Sequence, residues 1–214
     1  MLTAPALTLF TTNYNFLHKY LDADFPTPAD GPPVDASPPP PPNSTSSSLE
    51  ILERIHSDPA FDDLFAHPGA DNIQSLFAQR EAEVLSYFHQ LAIPDIAQAH
   101  KDITHLTTLL LTATHEPGSP PVFDFFVVHL TTVSYAVRTL LPEVPIEYAL
   151  PLVKAYWLFV IVVYIIQLRK KIRPETLDGV DVAGKTWNDV VKKALNRHKE
   201  PGAKVEDAHY LKGK

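Results

Sequence analysis

The segment from Tyr148 to Lys171, YALPLVKAYWLFVIVVYIIQLRKK, restricts the possible folds of this chain more than any other. Between Ala155 and Ile166 it has no charged residue and no polar face, so a helix formed there must be covered on every side. A membrane span needs about 20 apolar residues, and Lys154 leaves a shorter uninterrupted run. We therefore predict a buried core helix, and an anchor formed by residues 149 to 168 that makes a membrane-associated protein is the alternative.

The use of glycine and proline also indicates helices. The chain has 7 glycines against 21 prolines, and helical proteins use proline at helix starts and in linkers while needing few glycine turns. Apolar residues recur at helical spacing, and no segment alternates between apolar and polar residues as a half-buried strand does. We predict an all-α fold, a bundle-like array of helices with a disordered linker rich in proline and serine.

Three regions follow from the pattern along the chain. Residues 1 to 22 carry an apolar stripe at helical spacing, which predicts an N-terminal helix that packs on the main body. Residues 23 to 48 are rich in proline and serine and have little to bury, so they are predicted to be a flexible linker. Residues 49 to 214 are the predicted helical domain, and its longest helix is expected to run to about Arg173, just before Pro174.

Charge, cysteine content and motifs exclude several classes of function. The net charge of -7 argues against nucleic acid as a partner, because that binding depends on neutralising phosphates. The absence of cysteine excludes disulfides, thiolate metal sites and thiol catalysis. The chain has no glycine-rich dinucleotide loop, no phosphate-binding loop and no zinc-protease motif. No secretory leader is visible at the start, so we predict a cytoplasmic location.

Histidine is the side chain with metal-binding potential in this sequence. His105, His115 and His129 lie in or beside the most apolar helices, and His129, the one residue between Phe125 and Val137 that can carry a charge near neutral pH, is expected to be buried. Imidazole is the commonest metal ligand and titrates near neutral pH, so such residues fit a metal or acid–base site. The alternative is a core histidine bonded to a neighbour. Four other histidines have polar surroundings and are predicted to be exposed: His56, His67, His89 and His100.

Four blocks of the sequence resemble one known family. The block DFFVVHL, which contains His129, is similar to a helix of the questin oxidase-like family, fungal enzymes of aromatic polyketide metabolism. The blocks LTLFTTNYNFLHKYLD, LEILERIHSDPAFD and TWNDVVKKALNRHKEPGAK resemble other segments of that family in the same order. The resemblance spans nearly all 214 residues.

The resemblance implies an all-α oxidoreductase that oxidises or cleaves an anthraquinone-type aromatic polyketide with molecular oxygen. It also implies NADPH as a cofactor and non-haem iron held by histidines and a carboxylated lysine. In that reading His129 is an iron ligand, Lys204 is the candidate for the carboxylated lysine, and His105 is a further candidate ligand. The segments Phe123 to Phe126 and Tyr156 to Tyr164 are expected to line an apolar cavity for the planar substrate.

The sequence also departs from the family pattern. In the C-terminal motif, Glu200, Lys204 and Ala208 agree with the family, whereas Pro201 and Asp207 replace its histidine and arginine. Family members carry an N-terminal half with further histidines, and this chain is expected to begin after it. The alternative hypothesis is therefore a catalytically inactive, truncated paralogue that acts as a helical interaction module, either as a homo-oligomer or with a partner chain.

Overall fold

The computed structural model describes residues 43 to 116, 123 to 178, 180 and 182 to 196. Within these ranges the protein is helical, and an isolated bridge between Thr45 and Leu91 is the one β contact, which confirms the all-α prediction. The predicted helix at residues 1 to 22, most of the linker and Lys204 lie outside the described residues. The α-helices are α1 Ser48–Ser57, α2 Asn72–His89, α3 Ile96–Thr112, α4 Phe125–Leu140, α5 Ile146–Ile166 and α6 Trp187–Asn196, with 3-10 turns at Pro59–Phe61 and Pro174–Leu177.

The chain divides into two compact units between Glu175 and Thr176. Helices α1 to α5 form the first unit. In the second unit the Asp189 carboxylate accepts hydrogen bonds from the hydroxyl and the backbone N–H of Thr186, at 2.7 and 2.8 Å, just before α6 begins. These bonds lower the pKa of Asp189. The bond from the Thr186 N–H is one of the two bonds of a capping box, in which an acidic side chain three residues into the helix reaches back to the cap residue. The predicted domain boundaries at residues 22, 48 and 214 stay predictions.

Helix α5 is the centre of the first unit. It contacts α1, α2, α3 and α4, and the side chains of Val153, Trp157, Val160 and Ile161 are fully buried. By length and composition α5 could cross a membrane, yet 72% of its most apolar window is buried inside the protein. A helix that is apolar all round needs such cover. The prediction of a buried core helix is confirmed.

Side-chain caps define the starts of three helices. The Ser47 hydroxyl accepts from the Glu50 N–H at 3.2 Å at the start of α1, and the Asp95 carboxylate accepts from the Gln98 N–H at 2.9 Å at the start of α3. Asp124 caps α4 through two backbone N–H groups. These caps satisfy donors that a helix N-terminus otherwise leaves unpaired.

The C-terminal end of α5 differs from the prediction. The helix ends at Ile166 and does not continue to Arg173. Leu168 and Arg169 adopt left-handed backbone angles, with φ of 63° and 48°, and such a pair cannot continue a right-handed helix. The helix end predicted from the apolar run and from Pro174 was therefore too late in the chain. Nothing in the local sequence marks the left-handed turn that ends the helix earlier.

The side chain of Arg169 explains why the chain leaves the helix there. Its guanidinium donates to the carbonyl oxygens of Ile55, His56 and Asp58 at 2.9, 2.9 and 3.1 Å, and to the Asp62 carboxylate at 2.8 Å. The imidazole Nδ1 of His56 returns a hydrogen bond to the Arg169 carbonyl at 2.7 Å. Arg169 thus satisfies the free carbonyls at the end of α1 and joins that end to α5.

Candidate functional site

His129, the principal metal candidate from the sequence, lies on the outer surface of α4. Its side chain is exposed, its ring packs edge-on against Phe125 at 4.6 Å, and its Nδ1 lies 2.7 Å from the Phe125 carbonyl oxygen. The buried positions of α4 are Val127, Leu130, Ser134 and Val137. His129 is two residues from Val127, which rotates it by about 200° around the helix axis. The expectation that this imidazole is buried is wrong.

The other predicted ligands do not converge with His129. His105 is exposed on α3, and Lys204 lies outside the described residues. Within the described ranges no three histidine, aspartate or glutamate side chains are close enough to hold a metal ion. The geometry of the described residues therefore gives no support to an iron site. Iron binding by His129, His105 and Lys204 stays a prediction.

The buried imidazole belongs to His100, which is 8% exposed, so the prediction that it is exposed is wrong. His56, His67 and His89 are exposed as predicted. His100 shares the buried face of α3 with Ile103, because residues three apart lie on the same side of a helix. The residues adjacent to His100 in sequence are polar, so its helical spacing from Ile103 was overlooked. The residues adjacent to His129 are apolar, but His129 lies on the exposed face of its helix.

His100 belongs to a hydrogen-bonded network between α3 and α4. Its Nε2 lies 3.1 Å from the carbonyl oxygen of Ser134, and since a carbonyl only accepts, Nε2 carries the hydrogen. The hydroxyl of Ser134 lies 2.6 Å from that of Thr104, which itself donates to the His100 carbonyl at 2.7 Å. Each of these groups has a partner, so the network links the two helices without a free reactive group.

Tyr156 extends this network to α5. Its hydroxyl donates to the Leu130 carbonyl at 3.0 Å and lies 3.3 Å from the Thr107 hydroxyl. Burial raises the pKa of Tyr156, so the phenol is neutral near neutral pH and acts as a hydrogen-bond donor. Neither Tyr156 nor His100 lines the pocket described below. We assign these residues a structural role that fixes the register of α3, α4 and α5.

A pocket does occur where the end of α3, the start of α4 and the end of α5 meet. Its volume is about 20 Å³, which is room for one water-sized group. Its polar lining comes from three different helices or helix ends, and its apolar lining makes up most of the wall. The lining residues are Leu110, Thr114, Asp124, Val127, Tyr164, Gln167 and Lys170.

The polar groups of this pocket are unequally satisfied. Asp124 accepts through Oδ1 from two backbone N–H groups, and its Oδ2 lies 3.9 Å from Lys170 Nζ. The hydroxyl of Tyr164 donates to the Lys170 carbonyl at 3.3 Å, and burial raises the pKa of that phenol. Gln167, however, is 4% exposed, and its Nε2 is buried without a hydrogen-bond partner in the described residues. A buried donor of this kind costs stability, because it has lost its hydrogen bonds to water without gaining a partner in the described residues.

The expectation of a substrate cavity lined by Phe123 to Phe126 and Tyr156 to Tyr164 stays a prediction, and this pocket takes one residue from each of those segments. Asp124 and Tyr164 come from the two segments that we expected to line it. A site that encloses a drug-sized ligand has a volume of about 300 to 1,000 Å³, compared with about 20 Å³ here. This pocket therefore fits neither an anthraquinone nor NADPH as a whole. It can hold one atom or small group of a larger molecule.

Comparison with known proteins relates the chain to a family. A family model described as questin oxidase-like matches residues 1 to 213, which is nearly the whole chain. No curated protein and no solved structure matches the chain.

Proposed function

This chain belongs to the questin oxidase-like family, and from that premise we propose that it is a cytoplasmic oxidoreductase that oxidises an anthraquinone-type aromatic polyketide with molecular oxygen. The observation that supports the proposal is the family match over residues 1 to 213. The family description, questin oxidase-like, supports oxidase chemistry, and the choice of an aromatic polyketide as substrate is our proposal.

The proposal includes NADPH as the reductant and a non-haem iron as the metal. In the described residues the donors do not fit an iron site, because His129 and His105 are exposed side chains of two helices and no third ligand joins either of them. A site with His129 and Lys204 as ligands therefore depends on residues outside the described ranges. For this reason we derive no catalytic step through the iron or through NADPH.

Oxygen uptake tests the function directly. The full chain, supplied with Fe²⁺ and NADPH, is expected to consume oxygen only when a hydroxylated anthraquinone is added, and to convert that compound to a product with a changed absorption spectrum. The measurement uses an oxygen electrode together with product analysis by mass spectrometry. Oxygen uptake that is the same with and without the anthraquinone would contradict the proposal.

A pair of histidine variants tests the metal site. If His129 binds iron, His129→Ala is expected to lower the iron content of the reconstituted full chain by about tenfold or more, as loss of a ligand does. His89→Ala is the matched control, because His89 is also an exposed histidine but is not a predicted ligand. Equal iron content in the two variants would remove His129 from the site.

The second candidate is an interaction module that pairs with another copy of itself, and a specific surface favours it. An exposed stripe runs along α4 at spacings of three and four residues, which places its members on one face. Phe125 and Leu140 lie at its two ends and His129 and Ala136 at matching positions nearer its centre, so an antiparallel copy would pair large residues with small or flexible ones. The stripe consists of Phe125, His129, Thr132, Ala136 and Leu140.

Sedimentation equilibrium tests this second function. If copies pair through the stripe, Ala136→Arg is expected to weaken self-association by at least about tenfold, because it places a bulky charge in each half of the interface. Ala82→Arg, at an exposed position of α2, is the matched control. A monomeric full chain at all concentrations would exclude pairing.

A further inference from the structure

We propose that helix α6 binds to a membrane surface rich in anionic lipid, with its apolar face in the headgroup region and its lysines against the lipid phosphates. The helix has 10 residues, about half the length that a membrane span needs, so it would lie along the surface without crossing it. This inference concerns where the protein is held, and it is independent of the oxidation proposed above.

The apolar face of α6 is exposed along its length. Trp187 and Leu195 are 84% and 64% exposed, and Val190 and Val191 are 53% and 52% exposed. Their spacings of three, four and eight residues from the first place them within an arc of about 140° around the helix axis. Because a wide apolar face gains stability when it leaves water, this face favours a partner with an apolar layer.

Lysines flank the apolar face on both sides. The helical rotation puts Lys192 about 60° beyond Leu195 on one side and Lys193 about 60° beyond Val190 on the other. Both lysines are exposed, and Asp189, the acidic residue of α6, lies on the side opposite the apolar face. Long basic side chains in such positions keep their charged ends in the lipid headgroup layer while their methylene groups cover apolar surface.

The distribution of charge selects an anionic partner. Residues 185 to 199 hold five lysine and arginine residues and one aspartate, within a chain whose net charge is -7. A second copy would bring two such basic segments together, and like charges oppose association. Residues 1 to 22, the other amphipathic segment, contain one lysine and one aspartate and so offer no acidic excess. Anionic lipids attract basic segments, and they are enriched in the cytoplasmic leaflet, which agrees with the cytoplasmic location proposed above.

Tryptophan fluorescence of the full chain tests the binding, because the two tryptophans differ. Trp157 is fully buried, whereas Trp187 is 84% exposed, so entry of α6 into lipid changes the emission of Trp187. Vesicles of equal parts phosphatidylserine and phosphatidylcholine are expected to shift the emission to shorter wavelength. Vesicles of phosphatidylcholine alone, at the same lipid concentration, are expected to leave it unchanged. Trp187→Phe is expected to lose the shift but to sediment with the mixed vesicles, since phenylalanine keeps the face apolar.

Co-sedimentation with the mixed vesicles tests the apolar face. Leu195→Asp is expected to lower the affinity at least about tenfold, because it removes a large apolar side chain from the lipid-facing side and adds a negative charge there. Ile146→Asp is the matched control, since it makes the same kind of change at a position of α5 that is 79% exposed. Its affinity is expected to equal that of the parent chain.

A second pair of variants tests the lysines. The double variant Lys192→Gln and Lys193→Gln is expected to lower the affinity by about tenfold, because two attractions to anionic lipid are lost. The double variant Lys101→Gln and Lys171→Gln removes the same charge at exposed positions of the other unit and is expected to change the affinity by less than about twofold. All four lysines are exposed, so the variants are expected to unfold at the urea concentration of the parent.

The outcomes separate the membrane from other partners. A parent chain that binds neither kind of vesicle, or a Leu195→Asp variant that binds as tightly as Ile146→Asp, would overturn the inference. An emission shift that follows the protein concentration without vesicles would also overturn it, because another copy of the chain would then cover α6. Oxygen uptake is measured without vesicles, so the membrane site and the proposed oxidation succeed or fail separately.

Discussion

At the scale of single residues, Arg169 joins the end of α1 to the end of α5. It is 11% exposed, and it satisfies three carbonyl oxygens at and beyond the end of α1. The neighbouring carboxylate of Asp62 is 63% exposed, so this ion pair adds little beyond its hydrogen bond. The planar fork of the guanidinium, which presents several donors at once, is what a lysine cannot reproduce.

We predict that Arg169→Lys lowers the free energy of unfolding by about 1 to 3 kcal/mol, because the partly buried carbonyls of Ile55 and Asp58 lose a charged donor. Urea denaturation followed by circular dichroism measures the change. Arg138→Lys is the control, since Arg138 is exposed on α4, and it is expected to stay within about 0.5 kcal/mol of the parent. Equal effects of the two substitutions would show that Arg169 does not hold the two helix ends together.

Residue positions were the least predictable part of the site. The imidazole at His129 was expected inside because its neighbours in sequence are apolar, but burial depends on the helix face and not on adjacent letters. His100 shows the reverse, with polar neighbours and a buried position. The pocket at Gln167 could not be predicted at all, because it depends on a left-handed turn and on three helix ends that meet only in the folded chain.

At the scale of elements, side-chain caps stabilise some helix starts and not others. Asp95 and Asp71 occupy equivalent positions before α3 and α2, yet they differ in the structure. The Asp95 carboxylate accepts from the Gln98 N–H, whereas Asp71 has a helical backbone and makes no capping hydrogen bond. This pair offers a comparison of the same residue type with and without a cap.

We predict that Asp95→Ala lowers the free energy of unfolding by about 1 kcal/mol, the usual value of a lost side-chain cap. Asp71→Ala is expected to change it by less than about 0.5 kcal/mol, because its contact with His67 is an exposed ion pair. Thermal unfolding of the two variants under the same conditions gives the comparison. A larger loss in Asp71→Ala than in Asp95→Ala would contradict the assignment of caps.

At the scale of the whole molecule, tyrosines set the response to alkaline pH. Burial raises the pKa of Tyr156 and of Tyr164 above the ordinary value of 10.0. Burial, together with the hydrogen bond to Asp58, raises the pKa of Tyr87 to about 12. In the unfolded chain these phenols ionise near pH 10, whereas the folded chain keeps them protonated, so the unfolded state binds fewer protons above that pH.

We predict that the free energy of unfolding falls steadily as the pH rises from about 10 towards 12, where the Tyr87 pKa lies. Below about pH 10 the tyrosine contribution to this free energy is expected to be constant. Tyr156→Phe is expected to reduce the slope, by at most one proton or roughly 1.4 kcal/mol per pH unit. Tyr135→Phe, at a position 71% exposed, is the control and is expected to leave the slope unchanged. Urea midpoints measured at several pH values decide between these outcomes.

The architecture was largely predictable because it follows from composition and from one segment. The run from Ala155 to Ile166 has no polar face, so it required cover on all sides, and the surrounding helices provide it. The metal site was not predictable in the same way. Its candidate ligands were chosen through the family resemblance, and the described residues do not bring them together.

The late position of α5 in the chain affects how the protein is made. Helices α1 to α4 all precede Ile146 and are synthesised before the helix that they pack against. Until α5 leaves the ribosome, these helices lack the apolar cover that α5 provides, and the nascent chain is open to aggregation and to chaperone binding. Ribosome-bound chains that stop before Ile146 are therefore expected to be protease-sensitive, with resistance gained abruptly once the segment through Ile166 has emerged.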